Sequence, residues 1–122
     1  AARYTACIAE VLRRAGRPAA EFETLGFYVV APEIQINQCV FGRFLQKESL
    51  HEVVKRRVSE YQGERDRWFE AWFLPVLDRL DVKAISWEKL IGAIEEDAPE
   101  AGHLKTFYNR CKKFNKPAKP SE

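Results

Sequence analysis

Leu25-Gly26-Phe27-Tyr28-Val29-Val30-Ala31, halted by Pro32, is the stretch on which the fold turns. It carries no charge, is rich in β-branched and aromatic side chains, and ends at a proline. Those features predict a short strand covered on both faces. A second strand is expected at Val82-Lys83-Ala84-Ile85. Around these two runs the apolar residues keep helical spacing. Upstream, Tyr4, Cys7, Ile8, Val11, Leu12 and Ala15 share one face of a 3.6-residue period, and Gly16 with Pro18 ends the helix. Beyond Pro32, residues 33–46 read as irregular.

Ser49 and Glu52 have the spacing of a capping box for the next helix. Its stripe is Leu50, Val53, Val54, Val58 and Tyr61, and Gly63 is expected to end it. Trp68, Phe69, Trp72, Phe73, Val76, Leu77 and Leu80 continue the helical pattern through Pro75, which should kink or restart it. The spacing makes these aromatics core rather than a base-stacking platform. Ser86 is a good N-cap for a helix burying Trp87, Leu90, Ile91 and Ile94. After the turn Glu95-Glu96-Asp97-Ala98-Pro99, a last helix should turn Leu104, Phe107, Tyr108, Cys111 and Phe114 inward.

This order predicts an α/β fold: a helix-rich partial layer, helix-strand-helix-helix-strand-helix-helix, with two short parallel strands. Two strands make a poor sheet, since a covered strand needs neighbours for its backbone groups. Further strands are therefore expected upstream of Ala1 or from another chain. Residues 1–115 are expected to form one α/β domain or the C-terminal part of one, with 116–122 expected as a flexible tail. The chain starts at Ala1 and contains no methionine, and the start suggests a fragment or a processed chain.

The 122 residues allow one domain, and 15 Phe, Trp and Tyr supply a core. Wholesale disorder and a disulfide-stapled miniprotein are excluded. No apolar run approaches the ~20 residues that cross a bilayer, and no leader is expected. Three cysteines, an odd number without metal spacing, read as buried reduced thiols of a cytoplasmic protein with no membrane association. The net charge is +2, unevenly spread. Residues 61–102 carry five basic and ten acidic groups, whereas residues 103–122 carry six basic and one acidic. Two different surfaces follow from that split.

Gly26-Phe27-Tyr28-Val29-Val30-Ala31-Pro32-Glu33, Trp68-Phe69-Glu70-Ala71-Trp72-Phe73-Leu74-Pro75 and Ile85-Ser86-Trp87-Glu88 resemble the C-terminal half of bacterial proteins of the PD-(D/E)XK, restriction-endonuclease-like nuclease superfamily. The resemblance spans residues 3–115 and rests on packing residues. It implies that the intact protein binds and cleaves DNA with Mg2+, and that the catalytic strand lies upstream of the first helix. This chain would then hold no catalytic residue, no metal ligand and no cofactor of its own.

Within the chain, Asp81-Val82-Lys83 is the lone acidic-x-Lys triplet, and Pro32-Glu33 at the end of the other strand would supply the first carboxylate of such a motif. Chance supplies about one such triplet in this composition, so a surface pair flanking a strand is the expectation. His51 and His103 lack partners at ligand spacing and should face solvent. No glycine-rich phosphate loop occurs. Arg57 projects from the apolar stripe of its helix, either snorkelling toward water or an acid such as Asp78, or placed for a phosphate or carboxylate. On the last helix Lys105, Asn109, Lys112 and Lys116 fall at i, i+4, i+7 and i+11, with Arg110 and Lys113 nearby. Such a stripe neutralises phosphates without reading bases, although an ordinary solvated face has the same pattern. Two functions follow: part of a nuclease-like DNA-binding protein, or a non-enzymatic module that completes its core by dimerising or binding a partner protein.

Overall fold

A computed structural model describes residues 1–61 and 65–114. Helix α1 spans Ala2–Ala15 and ends at Gly16, whose φ of 63° places it in the left-handed region where no Cβ penalty arises. Strand β1 (Leu25–Ala31) follows a 3-10 turn at Ala19–Glu21. Residues 33–46 are more ordered than their composition suggests. They form α2 (Glu33–Asn37) and a second 3-10 turn (Gly42–Leu45), while leaving Ile34, Val40 and Phe44 exposed.

Helix α3 covers Lys47–Ser59. The Ser49–Glu52 capping box does not form, because the helix starts three residues earlier, at a Gln46 N-cap without a side-chain hydrogen bond. Tertiary contacts set that start. Lys47 Nζ donates to the Asp78 carbonyl at 2.7 Å, and Leu50 is buried one turn on. Gly63, expected to end this helix, lies outside the described residues.

Helix α4 (Arg65–Trp68) runs through a π turn (Phe69–Phe73) into α5 (Leu74–Arg79). The Leu74 amide donates to the Phe69 carbonyl, one residue wider than an α-helical bond. That widening falls just before Pro75, whose ring would otherwise clash with the carbonyl four residues back. The expected restart at Pro75 is thus realised as a π turn. It also presents Phe69 and Phe73, one turn apart, as stacked rings with centroids 5.1 Å apart.

Strand β2 (Leu80–Ser86) lies parallel to β1, in register from Leu25 opposite Leu80 to Ala31 opposite Ser86. Among the described residues the sheet has two strands. Leu25, Phe27, Val29 and Ala31, with Leu80, Val82, Ala84 and Ser86, turn toward the helices. The reverse face is more open: Gly26, Tyr28 and Lys83 are exposed there. The reverse face of β1 is open at Gly26 and Tyr28 and half-covered at Val30, so the strand is only partly covered there, short of the reading of its unbroken apolar run. Helix α6 (Trp87–Asp97) then leads through a 3-10 turn (Pro99–Gly102) into α7 (His103–Phe114).

The core gathers Ala9 and Leu12 of α1, Leu50 and Val54 of α3, Phe69 and Phe73, and Val76 and Leu77 of α5. Phe73 and Val76 are fully buried, and Trp68 and Trp72 pack around the same cluster. On α1 the buried positions are Thr5, Ala9 and Leu12, a stripe rotated from the expected one. The small Thr5 and Ala9 admit the bulky π turn against the helix, and Thr5 settles its hydroxyl on the Ala1 carbonyl at 3.3 Å. Tyr4 and Val11 are consequently exposed, and Tyr4 stacks on Phe27. The cysteines are not buried as expected: Cys7 and Cys39 are exposed and Cys111 half-buried. No helix among the described residues is long and apolar enough to cross a membrane.

Candidate functional site

The acidic-x-Lys triplet closes on itself. Asp81 and Lys83 are two apart on β2 and so share the open face, where their charged groups lie 2.9 Å apart. Tyr28 donates its hydroxyl to Asp81 at 3.0 Å. Its ring lies flat over Gly26, the residue paired with Asp81, where a Cβ would collide with the ring. Lys83, then Tyr28, hold the Asp81 carboxyl below its ordinary value, and Asp81 in turn raises both partners. Glu33 lies beyond the far end of the sheet from Asp81, seven residues past Gly26, or roughly 20 Å at strand rise. The two carboxylates cannot share a Mg2+ ion, and no cluster of three metal-ligating side chains occurs among the described residues. His103 is exposed, but His51 is half-buried, its ring edge-on to Phe69 at 5.4 Å.

The α6–α7 hairpin is built around a carboxylate. Ser86, itself buried, caps α6 by accepting the Lys89 amide at 3.1 Å, as its position foretold. Glu88 accepts the Glu33 amide and the Tyr108 hydroxyl, each at 3.0 Å, and Lys112 approaches it to 3.8 Å. Burial pushes the Glu88 carboxyl up, but its own amide, the Glu33 amide, Tyr108 and Lys112 outweigh that and leave it lowered. Burial and then Glu88 push the Tyr108 phenol up to about 12.

Polar contacts thus tie α2, α6 and α7 together, while the apolar side of the hairpin stays open. Neither α6 nor α7 contains a buried residue. Leu104 and Tyr108 are half-buried, but Phe107 and Phe114, expected inward, are 65% and 83% exposed. Trp87 and Ile94 are exposed too. Pro32, Leu90, Ile91, Leu104 and Cys111 floor an apolar groove of about 460 Å3 between them.

The lysine stripe is not a single free face. Lys112 is drawn to the groove rim by Glu88 and lies 4.7 Å over the Tyr108 ring. Lys105 and Asn109 are exposed, as are Arg110 and Lys113. Lys116 lies outside the described residues. Arg57 lies elsewhere, in a groove between α1 and α3 with Arg3, Arg65 and Trp68. It is exposed rather than buried, and among the described residues it makes no ion pair with Asp78 or any other acid.

Sequence reasoning missed both carboxylate anchors, Glu88 and Glu10. Glu10 was legible as the i, i+3 and i, i+4 partner of Arg13 and Arg14, whereas the contacts of Glu88 with Glu33 and Tyr108 are tertiary. No protein-family model, curated protein or solved structure matches the chain.

Proposed function

We propose that the chain is a non-enzymatic interaction module that pairs with a second copy of itself through the open face of α6 and α7. The observation that carries this reading is that two amphipathic helices with full apolar stripes bury no residue. A contiguous apolar face of this kind is stable when a matching face covers it. The charges say what fits. Acids dominate α6 (Glu88, Glu95, Glu96 and Asp97, against Lys89), whereas α7 carries Lys105, Arg110, Lys112 and Lys113 and no acid. A two-fold arrangement laying α6 of one copy along α7 of the other sets the acidic helix against the basic one twice, around a four-helix apolar seam.

Sedimentation equilibrium at tens of micromolar tests this. The expected mass is twice 14.1 kDa, and Phe107→Asp should return the single-chain mass with an unchanged far-ultraviolet spectrum. A folded wild-type monomer at that concentration overturns the proposal. A second reading, the nuclease-like DNA-binding part implied by the resemblance, draws support from exposed Lys105, Asn109, Arg110 and Lys113. The same experiment separates the two. A short DNA duplex should leave the dimer intact, whereas dissociation of the dimer by DNA would favour the second reading.

A further inference from the structure

A groove of about 640 Å3 separates α1 from α3 next to the start of α4, on elements other than the α6–α7 face. It exists because of side-chain size. Ala2 and Ala6, one turn apart on α1, meet Val54 and Val58, one turn apart on α3, and alanine leaves the space unfilled. The same helix closes tightly further along, where Ala9 is fully buried. The volume falls within the ~300–1,000 Å3 of small-molecule sites, which likewise combine an apolar floor with a few polar groups.

Three cations line this floor: Arg3, Arg57 and Arg65. Among the described residues Arg3 and Arg57 make no ion pair or hydrogen bond, and Arg65 stacks 4.3 Å over Tyr61. The acid lining the groove, Glu10, is already spent. Arg13 and Arg14 each reach it at 2.9 Å, and the Trp68 indole donates to it at 3.1 Å. Glu10 also lies two helical turns from Arg3, about 10 Å along the axis. The groove is therefore cationic over an apolar base.

We propose that this groove binds an organic monoanion with a hydrocarbon body, a medium-chain carboxylate, its headgroup on Arg57 with Arg3 and Arg65 beside it. A guanidinium fork matches a carboxylate with two parallel hydrogen bonds. The Ala2, Ala6, Val54 and Val58 floor offers no side-chain donor or acceptor, so it suits an alkyl chain rather than sugars, base edges or a peptide backbone.

Calorimetric titration with sodium decanoate below its micellar range tests the proposal, with nonyltrimethylammonium as a probe of equal alkyl tail and opposite charge. Decanoate should bind at one site per chain and the cation at least about tenfold more weakly, the discrimination that one charge-assisted contact supplies. Arg3→Gln with Arg57→Gln, both exposed, should cost decanoate a similar factor. Ala6→Leu should fill the groove and abolish binding, while Phe107→Asp leaves it unchanged. Absence of decanoate binding overturns the proposal. So do equal affinities for the two probes, loss with Phe107→Asp, or a decaglutamate peptide binding as tightly as decanoate.

Discussion

The layer made by α1, α3, the Phe69–Phe73 π turn and α5, and the hairpin made by α6 and α7, have comparable amphipathic sequences and opposite fates. The first buries Ala9, Leu50, Phe73 and Val76 almost completely. The second buries nothing, and is held to the sheet by Ser86 and by the bonds that converge on Glu88. Periodicity makes a helix and defines its apolar side. It does not supply the surface that covers that side. In the first region Thr5 and Ala9 are small enough to admit the Phe69–Phe73 turn. In the second, Phe107 and Phe114 have no facing element among the described residues.

The sharpest way to break this contrast is a pair of truncations. Phe73→Ala removes a fully buried ring and should cost about 3–5 kcal/mol, a large share of the ~5–15 kcal/mol that holds a typical domain. Phe107→Ala, measured at concentrations too low for self-association, should stay within about 0.5 kcal/mol. Urea unfolding of both variants reads the difference. Similar losses would show that α7 is packed as tightly as the core, and the contrast would fail.

What was legible in the sequence follows the same division. β1 ends at Pro32 because proline fixes its own φ and offers no amide donor, and α1 ends at Gly16 because glycine enters the left-handed region without a Cβ penalty. Ser86 caps α6 because its hydroxyl needs only the amide three residues on. Local chemistry decided each of these. The misreadings arose where a distant partner decided. Ser49 lost its capping role to an earlier start fixed by Lys47 and Asp78. The apolar face of α1 rotated to meet a π turn 60 residues away. β1 looked doubly covered because its outward residues are Gly26, Tyr28 and the half-buried Val30, and Tyr28 folds across the glycine to reach Asp81. For the candidate sites, residue types were legible but company was not. Arg57 stood out on its apolar stripe, yet its neighbours Arg3 and Trp68 come from other helices.

A smaller effect sharpens the comparison at the joint between the regions. Ser86→Ala removes the cap of α6 at a buried position and should cost about 1 kcal/mol. If the hairpin opens separately from the core, that loss appears as faster native-state hydrogen exchange across α6 and α7. Exchange at Leu50, Val54 and Phe73 should stay unchanged. Equal acceleration at those core amides would mean that hairpin and core unfold as one unit.

The smallest effect concerns the two carboxylate anchors, one in each region. Hydrogen bonds from Arg13 and then Arg14 hold Glu10 down from 4.5 to about 2. A carboxyl lowered in the folded state stabilises it fully above the unfolded value and loses that contribution as pH falls through the folded one. The Glu10 contribution should therefore be complete above pH 4.5 and fade toward about 2. Both arginines are largely in water, so the gain is that of a screened surface network, under about 1 kcal/mol. Urea midpoints of the wild type and Glu10→Gln should differ slightly at neutral pH and converge below 4.5. Glu88 is also lowered from 4.5, so its contribution fades over a window opening in the same place. Its partners Tyr108 and Lys112 belong to α7, however. Glu88→Gln should loosen α7 amides with little change in the urea midpoint, whereas Glu10→Gln moves the midpoint and leaves α7 exchange alone. If both variants shift the same midpoint by the same amount, the hairpin belongs to the cooperative core despite its exposed face.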